Sequence, residues 1–327
     1  MKAAVRERYC APEEVEVREL EVPVPGDDEV LVRVRATGLN ILDWYGVTGR
    51  PWVSRVSTGV RAPKEHRLGV DYAGTVEAVG RNVTEFEPGD EVFGGRTGAL
   101  AEYVVARTDR AIVKRPDTVP VEEAAAVAVA ATTALQGLRD KGGLERGQKV
   151  LINGASGGVG TFAIQIAKAL GAEMVTAVCS TPNVDLARSL GADRVVDYTK
   201  EDFVKLGERH DLLLDIAGTR SLSAYTRVLT PRAPVVIAGG PRANRLLGPL
   251  GKMVRLRARA ILSRRRVVNF LAQLTKEDLE TLRGLLEAGT LRTVVDRRYP
   301  LAEVGAALRY QGEGHPRGKV VVDVADD

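Results

Sequence analysis

The most distinctive chemical feature of the chain is a glycine-rich turn that reads Asn153-Gly154-Ala155-Ser156-Gly157-Gly158-Val159-Gly160. An apolar run that begins at Lys149 precedes it, and a helical pattern that extends to Leu170 follows it. Ala155, Gly157 and Gly160 fill the three spaced positions of a dinucleotide fingerprint. In that fingerprint, glycine lets the backbone approach a pyrophosphate and lets the helix pack closely on the sheet. The turn therefore predicts a dinucleotide-binding site.

Backbone N–H groups at the start of a helix have no intrahelical acceptor and lie at its positive end, where they bind phosphate oxygens. The residues predicted to hold the cofactor phosphates in this way are Ser156, Gly157, Gly158 and Val159.

The end of the next predicted strand bears on the choice between two cofactors. An NAD site carries an acid about 20 residues past the glycines, where it binds the ribose 2′-hydroxyl. The segment from Val178 to Asn183 has no Asp or Glu. Ser180 and Asn183 instead offer hydrogen bonds to a 2′-phosphate, so the segment predicts NADPH. A hydroxyl-rich helix cap is the alternative explanation of the same two residues.

Composition restricts the class of protein. The 327 residues are enough for about two domains, at roughly 150 residues each. A net charge of +4 is too small to indicate nucleic-acid binding. The two cysteines, Cys10 and Cys179, exclude a disulfide framework and a four-cysteine zinc lobe. Residues 1–14 lack the apolar core of a signal peptide, and no segment approaches about 18 uncharged apolar residues, so a cytoplasmic protein is expected.

The hydropathy pattern predicts an α/β fold in two parts. Short strands with Gly and Pro turns in the first third indicate a small β-barrel. They are expected at Val30–Arg35, Val70–Val79, Glu91–Phe93 and Ala99–Val105. An Ala-rich helix over Glu122–Arg139 introduces alternating strands and helices, which is the pattern of a doubly wound parallel sheet. The tail carries a helix at Lys276–Glu287 and a strand at Val320–Val324, and we expect it to fold back onto the barrel.

The chain resembles the medium-chain dehydrogenase/reductases, in the zinc-independent quinone oxidoreductase branch that includes zeta-crystallin. The match extends over nearly the whole length. Its anchors, besides the glycine-rich turn, are Thr37 to Asp43, Gly69 to Gly74, Pro88 to Val92, Leu190 to Asp193 and Gly318 to Val320.

The resemblance implies a GroES-like catalytic domain and a Rossmann domain, with the active site in the cleft between them. The predicted ranges are 1–122 with 276–327 for the first domain and 123–275 for the second. A homodimer is also a family expectation. The cofactor is further expected to contact Tyr198 near its 2′-phosphate and Gly239-Gly240 near its nicotinamide.

Asn40, Tyr45 and Thr133 match family positions that face the nicotinamide, and they are the predicted catalytic residues. Hydride transfer to a quinone or an enone leaves negative charge on an oxygen, which hydrogen-bond donors stabilise. Asn40 and Tyr45 are the candidate donors, and either Tyr45 or solvent delivers the proton. A turn asparagine and a rim tyrosine are the alternatives for these two residues.

The chain departs from the zinc-dependent members of the family at their metal ligands. Those enzymes use a Cys, the His of a Gly-His-Glu motif and one further ligand. Here Asn40 stands at the Cys position, and Asp71 lies near the motif position without a His. Because catalytic zinc requires about three protein ligands, no metal site is expected.

The segment from Pro241 to Thr275 holds nine Arg or Lys and no Asp or Glu. Apolar residues at helical spacing within 249–263 predict a basic amphipathic helix, which fits a lid, a dimer contact or a peripheral membrane contact. Arg317 and Lys319, near His315, form a second basic cluster. This cluster either approaches the cofactor or consists of edge-strand charges that deter aggregation.

Three functions are compatible with these patterns. The first is NADPH-dependent reduction of a quinone or an α,β-unsaturated carbonyl compound. The second is reduction of an enoyl thioester, for which the basic segment offers contacts to a phosphopantetheine arm. The third is a non-catalytic NADPH-binding, membrane-associated role, because fold alone does not fix function.

Overall fold

The computed structural model describes residues 1–218, 220–240, 265–313 and 315–324. The chain divides into two compact units. Unit 1 comprises Met1–Thr132 and Gln273–Asp327, and unit 2 comprises Thr133–Ala272. Glu122 and Glu123 belong to unit 1, where they bond to Arg298 and Thr293. The assignment of functional domains at the predicted boundaries 122/123 and 275/276 stays a prediction.

Unit 1 is built on a mostly antiparallel sheet of seven strands, with a separate two-stranded sheet at the N-terminus. The small sheet pairs β1 (Lys2–Val5) with β2 (Glu16–Glu19). The strands of the large sheet are β3 (Glu29–Leu39), β4 (Asp71–Val79), β5 (Glu91–Gly95), β6 (Tyr103–Arg107), β7 (Ile112–Lys114), β14 (Val295–Pro300) and β15 (Lys319–Asp323).

The eleven-residue strand β3 organises this sheet. It pairs with β4 on one side, while on the other it pairs first with β6 and then with β15. Val30, Val32 and Val34 alternate with more exposed side chains and are fully buried. This period of two places one face of β3 in the core of unit 1.

The helices of unit 1 connect and cover the sheet. They are α1 (Ile41–Thr48), α2 (Arg55–Thr58), α3 (Val121–Ala124), α8 (Lys276–Glu287) and α9 (Val304–Glu313). Helix α1 begins where β3 ends, and α9 lies between the parallel strands β14 and β15. The tail therefore supplies both a crossover helix and a strand that pairs with β3.

Unit 2 contains a six-stranded parallel sheet in the order β10-β9-β8-β11-β12-β13. The strands are β8 (Lys149–Asn153), β9 (Met174–Cys179), β10 (Arg194–Asp197), β11 (Leu212–Asp215), β12 (Val235–Ile237) and β13 (Val267–Asn269). Among its described residues, the α-helices lying wholly within it are α5 (Gly158–Ala169), α6 (Val184–Ser189) and α7 (Leu222–Tyr225). This strand order reverses between β8 and β11, which is the point where doubly wound sheets bind ligands.

The predicted Ala-rich helix over Glu122–Arg139 is wrong as a continuous element. The chain forms α3, a turn, α4 (Ala128–Gln136) and a π-helical segment at Gly137–Gly142. The break has a physical cause, because the Ala125 carbonyl accepts the Gly38 N–H and the Val129 N–H donates to the Asp71 carboxylate. These backbone groups bond to the sheet instead of extending one helix.

A second difference concerns the strand expected at Ala99–Val105, since β6 begins only at Tyr103. The Ala4 N–H donates to the Leu100 carbonyl, and Ala3 bridges Ala101. The start of this segment therefore pairs with β1 instead of lengthening β6.

The basic amphipathic helix expected within 249–263 lies outside the described residues. Among the residues that the structure describes, no helix has both the length and the apolar character needed to cross a membrane.

Candidate active site

The glycine-rich turn of unit 2 lies between β8 and α5. Gly154 has a φ of +90°, a conformation that glycine adopts at little cost. A Cβ at Gly160 would lie 2.3 Å from the Gly154 carbonyl oxygen. The close packing of α5 on the turn therefore requires glycine at position 160, as the fingerprint predicts.

Gly157 has a different role in the same turn. Its φ of −83° suits any residue, and among the described residues a Cβ there would meet only the Gly154 carbonyl oxygen, at 3.8 Å. The part of the chain that the structure describes therefore leaves space beside it. No acceptor among the described residues takes the N–H groups of Ser156, Gly158 or Val159. The turn thus provides an open cradle lined by N–H donors, which fits a pyrophosphate.

The residues predicted to contact the 2′-phosphate come together at the carboxyl ends of β9 and β10. The Asn183 Nδ2 donates to Ser180 Oγ at 3.0 Å. The Tyr198 N–H donates to the Cys179 carbonyl at 3.0 Å, and the Tyr198 side chain is 55% exposed. Ser180 and the backbone of the exposed Tyr198 therefore lie at the paired ends of β9 and β10.

Asp197, which no sequence pattern had singled out, organises this corner. Its carboxylate accepts from the Thr181 hydroxyl at 2.6 Å and from the Thr199 N–H and hydroxyl at 3.0 and 2.7 Å. These hydrogen bonds, led by the one from Thr181, lower the pKa of Asp197 to about 2. Lys200 Nζ lies 3.5 Å from the same carboxylate. The available signal was an Asp at the end of a strand, followed by Thr199 and Lys200.

The ends of the central strands are joined by a buried polar network. Asp215 accepts from Asn153 Nδ2 and from the Gly218 N–H, both at 2.8 Å, and from the Tyr225 hydroxyl. Gly239, which follows β12 together with Gly240, lies so close to Ile216 that a Cβ would be 2.2 Å from its carbonyl oxygen. The network fixes the strand ends around the turn.

A second polar cluster lies in unit 1, where β3, β4 and β15 meet. Asn40 is the N-cap residue of α1, and its N–H donates to Asp43 Oδ2 at 2.7 Å. Lys319 Nζ donates to Asn40 Oδ1 at 2.7 Å and to Asp71 Oδ2 at 3.3 Å. All four residues are buried, and Lys319 is only 2% exposed. We call Asn40, Asp43, Asp71 and Lys319 the amide–ammonium cluster.

Burial governs the ionisation of the carboxylates in this cluster. Desolvation is the largest cause that raises the pKa of Asp71, against the nearby Lys319 ammonium. Desolvation also raises the pKa of Asp43 to about 7, opposed by its hydrogen bond from Asn40. Desolvation also lowers the pKa of Arg6, whose positive charge opposes the rise in the pKa of Asp43.

The other predicted site residues lie on different elements of the two units. Tyr45 is half-buried on α1 and packs edge-on against Trp44, with ring centroids 5.6 Å apart. Thr133 lies on α4, at the start of unit 2. Arg317 lies in the loop before β15 of unit 1, and its N–H donates to Asp296 at 3.0 Å. Their roles at a cofactor stay predictions.

Lys319 was missed as a site residue. The proposal that it is an edge-strand charge is wrong, because β15 is flanked by β14 and β3 and the side chain is buried.

Comparison with known proteins places the chain in a family. Models of the alcohol dehydrogenase GroES-like domain and of a zinc-binding dehydrogenase match residues 26–117 and 190–322. A chloroplastic quinone oxidoreductase of Triphysaria versicolor is 35% identical over 93% of this chain and 92% of its own length. A trans-enoyl reductase of Aspergillus terreus is 36% identical over 91% of this chain and 87% of its own. The solved quinone oxidoreductase of Coxiella burnetii has a TM-score of 0.85 at 27% identity, over 99% of both chains.

The chain belongs to the quinone oxidoreductase branch of the medium-chain dehydrogenase/reductases. The predicted α/β fold class, a Rossmann sheet with a GroES-like domain, is confirmed. This family member is an oxidoreductase with a nicotinamide cofactor and a small-molecule substrate.

The described residues do not fit the zinc that one family model names. Among them, no group of three or more His, Cys, Asp or Glu is arranged to hold a metal ion. Asn40, which the sequence resemblance matches to the first zinc ligand, has a carboxamide whose oxygen already accepts from the Lys319 ammonium. An amide and an ammonium are poor partners for zinc, which binds Cys, His and carboxylate ligands.

Proposed function

We propose that this chain is an NADPH-dependent, zinc-independent reductase of quinones or α,β-unsaturated carbonyl compounds. The observation that carries the proposal is the combination of two sites in one chain. One is an open dinucleotide cradle at Gly157, and the other is a buried cluster that offers an amide where zinc enzymes of the family hold a metal ligand.

The cofactor-binding residues of the proposal lie mainly in unit 2. The N–H groups of Ser156, Gly158 and Val159 bind the pyrophosphate, and Gly157 leaves room for it. Ser180, Asn183 and Tyr198 hydrogen-bond the 2′-phosphate at the end of β9. Gly239 and Gly240 border the nicotinamide, and Arg317 of unit 1 contributes a positive charge to the cofactor.

Hydride donation is the chemistry that a bound NADPH supplies. The protein stabilises the negative charge that develops on the substrate oxygen, through hydrogen bonds donated by Asn40 Nδ2 and the Tyr45 hydroxyl. Thr133, the third proposed catalytic residue, would contact the nicotinamide of a bound cofactor. The proton that completes the reduction comes from Tyr45 or from solvent.

Relatives support both substrate classes. The Triphysaria versicolor protein is named a quinone oxidoreductase, and a 31% identical protein of Solanum lycopersicum is named a 2-methylene-furan-3-one reductase. The Aspergillus terreus relative is named a trans-enoyl reductase, which favours enoyl-thioester reduction as the second candidate. A non-catalytic NADPH-binding role is the third.

The direct test is a panel of acceptors with purified full-length chain. NADPH oxidation is followed at the nicotinamide absorbance with ortho- and para-quinones, enones and an enoyl thioester, and each assay is repeated with NADH. Turnover of a quinone or an enone, with a higher kcat/KM for NADPH, supports the proposal. Turnover of the thioester alone supports the second candidate, and NADPH binding without any turnover supports the third.

The predicted cytoplasmic location, homodimer and peripheral membrane contact through 249–263 remain predictions. Relatives include proteins named as chloroplastic and mitochondrial.

A further inference from the structure

Lys319 is a buried cation of unit 1 whose nearest hydrogen-bond partner among the described residues is a neutral group. Its Nζ lies 2.7 Å from Asn40 Oδ1 and 3.3 Å from Asp71 Oδ2. A salt bridge alone would place the ammonium closest to the carboxylate. The distances instead place the ammonium nearer to the carboxamide oxygen of Asn40 than to the carboxylate of Asp71, which is its counter-charge.

An ammonium group donates hydrogen bonds and cannot accept them. The atom that faces Lys319 at 2.7 Å must therefore be the oxygen of the carboxamide, and this fixes which end of Asn40 carries the NH₂ group. Among the described residues, Nδ2 makes one long hydrogen bond, to the Gly38 carbonyl oxygen at 3.4 Å, and the Asn40 side chain also interacts with the Asp71 carboxylate. A neutral carbonyl at that distance is a weak acceptor, so a substrate oxygen that gains negative charge can replace it.

The strand register makes this arrangement rigid. Val320, next to Lys319, pairs with Leu39, next to Asn40. Asp71 is the first residue of β4, and its carboxylate is held by the Val129 N–H at 3.0 Å. Three neighbouring strands therefore hold the amide, the ammonium and its counter-charge in one geometry.

We propose that Lys319 is a positioning residue that holds the Asn40 carboxamide with Nδ2 presented to the substrate oxygen that gains negative charge. The positive charge beside Oδ1 also polarises the amide and makes its N–H a stronger donor. The catalytic consequence rests on the proposed function, whereas the Lys319–Asn40 contact is testable without turnover.

The first experiment observes the carboxamide directly. The chain has six asparagines, so asparagine labelled with nitrogen-15 at its side chain gives a simple NH₂ spectrum, and Asn40→Ala identifies the Asn40 pair. Lys319→Met is expected to move the Asn40 pair and to speed its exchange with solvent. An unmoved Asn40 pair would overturn the proposal. Lys168→Met is the matched control, because it removes an ammonium that pairs with Asp193 in unit 2.

The second experiment is a double-mutant cycle in turnover. Asn40→Ala and Lys319→Met are each expected to lower kcat about tenfold or more, as loss of an oxyanion donor does. The NADPH dissociation constant is expected to stay unchanged. If Lys319 acts through Asn40, the kcat of the Asn40→Ala/Lys319→Met variant is within about twofold of the kcat of Asn40→Ala. The reason is that the effects of residues that act together are non-additive. Independent, multiplying effects would contradict the positioning role.

Lys319→Met leaves the Asp71 carboxylate without its counter-charge, which threatens folding. The double variant Asp71→Asn/Lys319→Met removes both charges, so no buried charge is left unpaired. It is the second variant used in both experiments. A moved Asn40 pair with unchanged kcat in this variant would overturn the catalytic role. A wild-type chain that reduces no acceptor would instead refute the proposed function, while the Asn40 spectrum would still decide the contact.

Discussion

Asp43 is the residue in the amide–ammonium cluster whose ionisation falls in the ordinary working range of pH. Its pKa of about 7 lies above the value near 3.9 of an unfolded chain, mainly because the carboxyl is buried. The folded protein therefore keeps a proton that the unfolded chain has released. This contribution to stability is complete below about pH 4 and is lost as pH rises through about 7.

We predict that Asp43→Asn makes the free energy of unfolding less dependent on pH between about 4 and 7. One proton accounts for a slope of at most about 1.4 kcal/mol per pH unit, and the variant removes it. Urea unfolding at several pH values measures the slope. Asp185→Asn is the control, because that carboxylate is 97% exposed. If the free energy of unfolding of Asp43→Asn depended on pH as steeply as that of the wild type, Asp43 would not be the group that titrates.

The corner at Ser180 determines which cofactor binds under the proposed function. We predict that Ser180→Asp lowers the preference for NADPH over NADH by about tenfold or more, because a carboxylate repels a 2′-phosphate and binds a 2′-hydroxyl. Fluorescence titration of both cofactors measures the change. Ser223→Asp adds the same charge at another position of unit 2, which is exposed, and is expected to leave the ratio unaltered. An unchanged ratio in Ser180→Asp would show that the 2′-phosphate lies elsewhere.

The sequence patterns pointed to Asn40 and to Lys319 separately but did not connect them, and the reason is distance along the chain. The two residues are 279 positions apart and meet only through the register of β15 on β3. A buried lysine has no local signature, because the same sequence at the end of a strand also fits an exposed charge. Asp197 was missed for a related reason, since one of its partners comes from the loop after β9.

At the level of elements, the turn between β8 and α5 contains two glycines with different roles. Gly160 is needed for folding, and Gly157 is needed for binding. A Cβ at Gly160 meets a backbone atom at 2.3 Å, whereas one at Gly157 meets a single atom at ordinary contact distance. The two glycines lie three residues apart, so substitutions there test packing and cofactor access separately.

We predict that Gly160→Ala lowers the free energy of unfolding by about 1–3 kcal/mol, as overpacking does. Gly157→Ala is expected to change it by less than about 0.5 kcal/mol but to weaken NADPH binding about tenfold or more, because the methyl group occupies the cradle. Urea unfolding and cofactor titration measure the two effects. Equal loss of stability in both variants would contradict the distinction.

Gly284→Ala is the internal standard for these measurements. Gly284 lies in α8, and no atom beyond its own helical turn lies within 4 Å of the position that an alanine methyl group would take. Alanine there is expected to raise the free energy of unfolding by about 0.5–1 kcal/mol, since glycine is unfavourable inside a helix.

The elements themselves were predictable wherever the pattern was local. In unit 2, β8 begins at Lys149 and α5 ends at Ala169, within one residue of the predicted strand start and helix end, because an apolar run and a glycine turn define them. The Ala-rich segment was not predictable, since its break depends on hydrogen bonds to Gly38 and Asp71. Alanine favours helix everywhere along it, and only the sheet supplies the competing partners.

At the level of the whole molecule, one of the two compact units is not a continuous stretch of the chain. Unit 1 takes its strands from both ends of the chain, and unit 2 takes the middle. The alternation of strands and helices predicts the parallel sheet of unit 2. The antiparallel neighbours of β3 required the structure, because sequence patterning does not say which distant strand pairs with which.

Under the proposed function, this oxidoreductase reduces its substrate without a metal ion. The most direct measurement follows NADPH oxidation with a turned-over quinone or enone before and after exhaustive chelation, together with the zinc content of the protein. We predict no stoichiometric zinc and a kcat unchanged within about twofold, because the amide–ammonium cluster offers two carboxylates, one of them paired with Lys319, where catalytic zinc requires about three protein ligands. Loss of turnover on chelation and its return on adding zinc would contradict the claim.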